Sequence, residues 1–558
     1  MRYSILIVLV AAALTCAAGL GRPAITDSDE AFYAEAGREM RESGDLLTPR
    51  FNYANRFQKP VLYYWAVTAS YAALGVTEAS ARLPAALSGI ALALLAWICG
   101  RRWFDETTGH VAGLVAATSL GPAVMARLAL PDLPLALFIS LAIVIGIEAA
   151  LVPARPRPWL MALAGAAAGA AFLTKGPVGI ALPGLVLAAL VVIERRWSAL
   201  APGPLALAMG AALLVGIPWY VAMAHVHGAA YLQSFFVSDN LERFATDRFN
   251  DPRPIWFYLP ILLAGAFPWS PFVALWAQPA WRTIRERVRP DPVHVRLLVW
   301  GALPLLLFTI SIGKQPRYIL PVLLPLAVAV AASVQRRIGA GAASPSGLFR
   351  TCGTVASVLI ALLGLVLALL PPEPLGVARV VLVAGGSLAA MAGLCAAAVA
   401  IWRPRWLPNA LSAAAMVLLL AAQCGLLSAP GPDRVQDVAA SVRSSLQPGT
   451  AWTTYEVFVR NLVFYVGQRE DGPFDATGLV QWLEVDRPAL VVLKEQDLER
   501  IAPHVKVPLY RLASWRYFNV AGIRAGLLLD RNPTRRVRTV VLVSNRPPVP
   551  GPAMMRVP

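Results

Sequence analysis

Apolar residues in this chain come in long unbroken runs rather than in the short alternation of half-buried strands or helices. The first run covers Tyr3 to Leu20 behind Met1-Arg2. Others recur at about 82–100, 108–125, 131–152, 159–174, 178–193, 203–222, 255–277, 297–313, 318–334, 351–370, 376–401 and 408–427. About 20 apolar residues in a helix cross a bilayer, so the pattern predicts an all-α polytopic membrane domain of about 13 transmembrane helices. The first run also has the length and small residues of a secretory signal. It is read as a retained helix, because the polar segment after it looks functional and the following helices need its topology.

Three polar stretches interrupt the runs: residues 21–81, 223–254, and everything from about 430 onward. Between Ser28 and Met40 the spacing predicts an amphipathic helix. Tyr33, Ala36, Gly37 and Met40 share one face, with Glu35, Arg38, Glu39 and Glu42 largely opposite. Such a helix is expected to lie along the membrane surface. In the tail, Trp452–Val457, Ala489–Lys494 and Ala525–Leu529 read as strands between helical pieces such as Val435–Leu446, which predicts a small soluble α/β domain. The expected organisation is a transmembrane domain over 1–429, with an outer catalytic loop at about 21–81, and an extracytoplasmic domain over 430–558. Gly165 and Gly169 form a GxxxG pair, a sign of close helix packing.

Composition sharpens this picture. The 558 residues are 57% hydrophobic and only 15% charged, against roughly 25% charged in soluble domains, which excludes an ordinary soluble enzyme and a disordered chain. The net charge of +17 does not point to nucleic acid, because the arginines cluster in short loops between apolar runs. Arg101-Arg102, Arg155/Arg157, Arg195-Arg196, Arg282/Arg285/Arg287/Arg289, Arg336-Arg337 and Arg403/Arg405 fall on one side if the N-terminus is cytoplasmic. An odd number of spans then puts the tail outside. The five cysteines all sit in apolar segments, which leaves no disulfide framework or CxxC metal site.

Charges that could carry chemistry gather at the predicted outer helix ends. Asp29-Glu30 follow the first span; acids there cap a helix's free amides, or a carboxylate at the bilayer's edge deprotonates an acceptor hydroxyl. Arg56-Phe57-Gln58-Lys59-Pro60 precedes Val61-Leu62-Tyr63-Tyr64-Trp65, either as an interfacial anchor or as a cation placed where a lipid phosphate would lie. Asp132, Lys175, Arg243, Lys314 and Arg317 extend the pattern. One or two acids beside several fixed cations suit a polyprenyl phosphate-sugar, whose anionic leaving group needs positive charge in a low dielectric.

The motifs Asp29-Glu30-Ala31-Phe32-Tyr33-Ala34-Glu35, Arg38-Glu39-Met40, Gly44-Asp45 and Phe57-Gln58-Lys59-Pro60 resemble the first outer loop of bacterial lipid-linked sugar transferases. Leu130-Pro131-Asp132, Leu173-Thr174-Lys175-Gly176-Pro177, Glu242-Arg243-Phe244, Pro268-Trp269-Ser270 and Lys314-Gln315-Pro316-Arg317-Tyr318 continue the likeness in order to about residue 335. The chain is similar to the aminoarabinose transferases that modify lipid A, which are relatives of the protein O-mannosyltransferases with the GT-C fold. The resemblance implies Asp29 as catalytic carboxylate and Asp132 as a second important acid. It implies Lys59, Lys175, Arg243 and Arg317 as contacts of the donor phosphate. Glu30, Tyr33, Gln58, Tyr63, Lys314 and Tyr318 are candidates for the substrate cavity.

Two positions depart from the pattern. The aminoarabinose branch has Glu where this chain has Gln58, and His where it has Asn240. In that branch the Glu and His help hold a metal, so no metal or other cofactor is expected here; His225 and His227 alone make a poor zinc site.

The expected partners are a polyprenyl phosphate-linked sugar, an envelope lipid, glycan or protein acceptor, and membrane lipids, with no nucleic acid. The expected place is a bacterial inner membrane, with the site facing outward. A lipid or solute transporter (or flippase) and a glycan-binding scaffold are the competing classes.

Overall fold

The computed structural model describes residues 3–242, 253–276, 291–338, 347–372, 376–425, 434–518 and 537–547, without the side chains of 240, 241 and 424. The first two helices are α1 (Ser4–Ala17) and α2 (Asp29–Ser43), and the next two are α3 (Leu62–Leu74) and α4 (Glu78–Trp103). The chain continues through α5 (Glu106–Thr118), α6 (Leu120–Met125), α7 (Asp132–Gly146), α8 (Pro158–Lys175), α9 (Val178–Ile193) and α10 (Pro202–Gly216). Long helices then cover Pro292–Ile310, Leu320–Ile338, Gly347–Leu369, Arg379–Trp402 and Leu407–Cys424.

Among the described residues, seven helices are long and apolar enough to cross a membrane, or up to nine if two bent pairs each count as one span. One bent pair, Ile255–Gly265 with Ser270–Trp276, turns by 114°. Large apolar side chains such as Leu214, Leu306, Val380 and Leu394 stand exposed on these helices. That arrangement is stable only where the surroundings are lipid tails as apolar as the side chains themselves.

Two cores meet at the site. The larger lies within the helical bundle, from Cys16 through Trp300 to Ala415. The second ties the 25–71 segment to Ala129-Leu130, Phe172-Leu173, Trp219-Tyr220 and Phe464 of the tail. Ser28 opens α2 as its N-cap, and Gly44 closes it in the left-handed conformation at φ 71°. The helix is therefore present where the pattern put it, with a correction to its environment. Glu30, Glu35 and Glu39 are buried beside the apolar face. The hairpin of β1 (Arg50–Phe51) and β2 (Ala54–Asn55) lies over the polar side, where Arg38 pairs with Glu35 and the Tyr53 amide donates to Glu39 at 3.0 Å. Protein covers both sides of α2, so it does not rest on a bilayer by one face.

In the tail, β3 (Ala451–Tyr455), β4 (Ala489–Lys494), β5 (Tyr510–Tyr517) and β6 (Arg538–Ser544) form one sheet in the order β3-β4-β6-β5. The β3 and β4 strands are parallel and the other pairs antiparallel. Leu490 and Val492 enter one apolar cluster while Ala489, Val491 and Leu493 enter another on the opposite face. Burial on both faces explains why β4 is continuously apolar instead of alternating. The segment Ala525–Leu529, expected as a strand, lies outside the described residues; β5 and β6 complete the sheet.

The sheet region grips the polar segment after α1. The Tyr465 hydroxyl accepts from the Ile25 amide at 2.7 Å and donates to Glu78 at 3.0 Å. Asn461 donates to the Ile25 carbonyl at 2.9 Å, and the Arg460 amide donates to Asp27 at 2.8 Å. Asn52 and the Glu470 backbone exchange two bonds, at 2.7 and 2.8 Å.

Candidate active site

Four elements converge on a row of alternating charges. Asp29 is the first residue of α2, just after the Ser28 cap, and its side chain is half exposed. Asp132 is the first residue of α7 and is buried. Lys175 is the last residue of α8, followed by Gly176 at φ 89°. Arg317 lies in the short turn Pro316–Ile319 that leads into the next long helix.

Arg317 Nη2 donates to Asp29, its Nε lies 3.7 Å from Asp132 Oδ2, and Lys175 Nζ donates to the other oxygen of Asp132. Lys175 also sits 4.9 Å above the Tyr318 ring, a cation–π placement. The row Asp29–Arg317–Asp132–Lys175–Tyr318 thus includes a direct pair, Asp29 and Arg317, 288 positions apart. Acids at the first turns of α2 and α7 and a lysine at the last turn of α8 each suit the helix dipole that presents them.

Around this row, Tyr33 packs against Tyr63 and Tyr64 at centroid distances of 5.3 and 5.2 Å. Tyr63 Oη and Gln58 Oε1 are buried without hydrogen-bond partners, a rare condition for native polar atoms. Lys59 is half-buried and has interactions of its own. His227 lies against Phe57 at 5.0 Å and bonds Thr48 at 2.9 Å.

Two of the expected cavity residues are buried and bonded within the fold. Glu30 is fully buried: its carboxylate accepts from Arg82 Nε at 2.7 Å, from the Thr26 amide and hydroxyl at 2.9 Å, and from the Ala129 amide at 3.0 Å. Burial alone would raise its pKa, but Arg82 and these donors outweigh that and hold it below the ordinary carboxylate range. Glu30 is therefore a strut joining α2 to α4 and to the chain before α7. Lys314 is buried and donates to the Ser311 carbonyl at 2.6 Å, so it braces its own loop. Arg243 lies outside the described residues.

Sequence reasoning did not single out Arg82, and it named Arg56 only as the head of its motif. Arg82 binds Glu30 and three carbonyls, those of Leu20, Pro23 and Ala24, between 2.7 and 2.9 Å. An arginine at the edge of an apolar run was the available signal. Arg56 lies 3.9 Å over the Phe32 ring and bonds Tyr64 at 3.3 Å, which brings a further cation beside the aromatic cluster.

Residues 23–230 match the family described as dolichyl-phosphate-mannose-protein mannosyltransferase. The undecaprenyl phosphate-α-4-amino-4-deoxy-L-arabinose arabinosyl transferase of Edwardsiella ictaluri is 34% identical over 354 residues, 62% of this chain and 62% of the relative. The enzyme of the same name from Pseudomonas aeruginosa strain UCBPP-PA14 is 35% identical over 317 residues, 56% of each chain. These matches span less than two thirds of the relatives' own length.

In three dimensions, the crystal structure of ArnT from Cupriavidus metallidurans bound to undecaprenyl phosphate superposes with a TM-score of 0.77 at 24% identity, covering 99% of this chain and 100% of that one. Its apo form gives the same score over 98% and 99%. By sequence over residues 23–230 this chain is similar to the protein mannosyltransferase family, over a little more than half its length it is similar to the aminoarabinose transferases, and along nearly the whole chain it shares the fold of ArnT.

Proposed function

We propose that this protein transfers a sugar from an undecaprenyl-type polyprenyl phosphate to an envelope acceptor, lipid A, another glycan or protein, by one inverting displacement. The observation that carries the reading is the charge row, in which Arg317 is shared between Asp29 and Asp132 while Lys175 holds the other side of Asp132. Both cations are held in place by acids before any phosphate arrives, and fixed charges that need no reorganisation stabilise a leaving anion best.

An incoming donor phosphate competes with Asp29 for Arg317. With the phosphate seated against Arg317, which Asp132 keeps in place, the Asp29 carboxylate is released to accept the acceptor's hydroxyl proton. The acceptor oxygen forms a bond to the anomeric carbon on one face. On the other, the carbon–oxygen bond to phosphate breaks and its electron pair leaves with the lipid phosphate. Lys175, Arg317, Lys59 and Arg243 neutralise that charge. Tyr63 Oη and Gln58 Oε1 are buried polar atoms without hydrogen-bond partners.

The proposed organisation has thirteen crossings, adding the shorter apolar helices α1 and α9 and the α5–α6 and α8 segments to the nine. The cytoplasmic side is the arginine-rich one, and the site and the tail from 430 face outward from the inner membrane.

In reconstituted vesicles, Asp29→Asn should lower sugar transfer by about 10²-fold or more, the scale of general-base catalysis, at unchanged protein level and with donor binding no weaker than the parent's. Lys175→Ala should weaken donor binding as well as rate. Near-normal turnover of the Asp29 variant overturns the assignment. Lipid translocation without covalent transfer would favour a flippase.

A further inference from the structure

Three arginines at one end of the helical bundle stand without a counter-ion. Arg155 and Arg157 lie in the loop before α8 and Arg195 in the loop after α9; all three are exposed, and among the described residues none of them is in an ion pair. The acids nearest to them in the chain are engaged elsewhere. Glu148 takes Arg102 at 3.3 Å and the Trp103 indole at 3.0 Å, and Glu194 takes Nε and Nη2 of Arg296, each at 2.7 Å. Arg195 follows α9 at φ 55°, the left-handed position where glycine is the ordinary residue. Its long cationic side chain stands there against the backbone's preference.

The fold draws the two loops together. Arg196 Nη2 donates to the Pro153 carbonyl, which ties the loop after α9 to the loop before α8. Gly165 meets Ala208 and Gly169 meets Ala212, so α8 and α10 run side by side in one direction with their first turns at one level. Trp159, in the first turn of α8, and Trp197, in the short turn ahead of α10, are 67% and 58% exposed there. Ile193 at the end of α9 and Leu200 in the same turn as Trp197 are exposed too. α8 has 18 residues. At about 1.5 Å per residue the patch is roughly 27 Å from Lys175 at the other end of that helix, close to the thickness of a bilayer's hydrocarbon. The patch therefore lies at the membrane interface opposite the charge row.

That combination matches a molecule with an anionic head and apolar tails. A guanidinium group holds phosphate oxygens through paired N–H donors. Indoles settle at the level of lipid headgroups, and basic pockets between membrane helices recognise lipid phosphates. Three cations with no free acid among them suit a headgroup of two phosphates better than one.

We propose that this corner of α8, α9 and α10 is a binding site for an anionic phospholipid, its phosphates held by Arg155, Arg157 and Arg195 and its acyl chains lying along Trp159, Trp197 and the aliphatic side chains next to them. The site is separate from the transfer chemistry and does not depend on Asp29.

The test is native mass spectrometry of the purified full-length chain, delipidated in detergent and titrated with cardiolipin, dioleoyl phosphatidylglycerol and dioleoyl phosphatidylcholine. Cardiolipin should bind at least tenfold more tightly than phosphatidylcholine, with phosphatidylglycerol between them, and millimolar inorganic phosphate should not displace it. Arg155→Gln/Arg157→Gln/Arg195→Gln should lose that preference at an unchanged melting temperature, because all three side chains are exposed. Arg195→Gly, which suits the left-handed backbone, should keep or raise the melting temperature and still weaken cardiolipin severalfold. Arg403→Gln/Arg405→Gln, exposed on another loop, should bind cardiolipin like the parent. Asp29→Asn should do so as well, so failure of the transfer reading is told apart from failure of this one. Equal binding of phosphatidylcholine, displacement by free phosphate, a preference that survives the triple variant, or an equal loss in the Arg403/Arg405 variant overturns the proposal.

Discussion

At the scale of single residues, burial divides the acids of the first loop into two kinds. Glu30 and Arg82 are 0% and 1% exposed, and every oxygen and nitrogen of the pair is engaged within the fold. Removing one member of such a pair leaves a lone charge in a low dielectric, which costs about 3–5 kcal/mol, whereas removing both is often nearly neutral. Arg82→Leu should therefore aggregate on mild heating, while the Glu30→Met/Arg82→Leu pair recovers much of the loss, as read by the monodisperse fraction on size exclusion after a temperature series. Asp29, by contrast, is half exposed. Its neighbour in sequence, Glu30, shares its chemistry but not its surroundings. No spacing rule separates the two, because what differs is a partner 52 positions further along the chain.

At the scale of elements, several of the long apolar helices were legible to within a few residues. The run at 178–193 is α9, and 379–402 and 347–369 match theirs within a few positions, since a lipid-spanning helix must be apolar for its whole length. The tail was harder. β4 stood out as a continuous apolar run, and β6 carries Val540-Val541-Leu542-Val543, a comparable signal. β5 alternates arginines with half-buried aromatics, as an outer strand does, and its pattern is too mixed to read alone. The charge row was legible as residues but not as pairs.

The GxxxG pair in α8 has a concrete meaning. A Cβ on Gly165 would stand 1.9 Å from the Ala208 carbonyl oxygen of α10, and one on Gly169 would stand 2.6 Å from that of Ala212. Backbone cannot step aside cheaply, so Gly165→Val should destabilise the α8–α10 contact by about 1–3 kcal/mol or more. It should also disturb Lys175 at the end of the same helix. A lower thermal midpoint together with weaker donor binding checks both effects.

At the scale of the whole molecule, a carboxyl with a raised pKa stands on each side of the β1–β2 hairpin: Glu39 accepts from the Tyr53 amide, and Glu470, whose backbone bonds Asn52, accepts from Thr454. Burial, followed by the adjacent Glu35 charge, pushes Glu39 up to about 8; burial pushes Glu470 up to about 7, against the bonds it accepts from Thr454. Both folded values lie above the ordinary 4.5, so the native state keeps protons that the unfolded chain has already lost. The stability they contribute is complete below about pH 4.5 and is lost as pH rises to about 7–8. The melting temperature should climb by several degrees between pH 8 and pH 5, and Glu39→Gln/Glu470→Gln should flatten that slope; an identical slope in the double variant would exclude both groups.

The hold of Arg460, Asn461 and Tyr465 on Ile25 and Asp27 also sets an order of assembly. Contacts this distant in sequence form late, after the intervening chain exists. During synthesis, every membrane helix is complete before the residues that seat the start of α2 leave the ribosome. A chain cut short anywhere before about residue 460 would carry its membrane helices yet leave the start of α2 without the contacts that seat it.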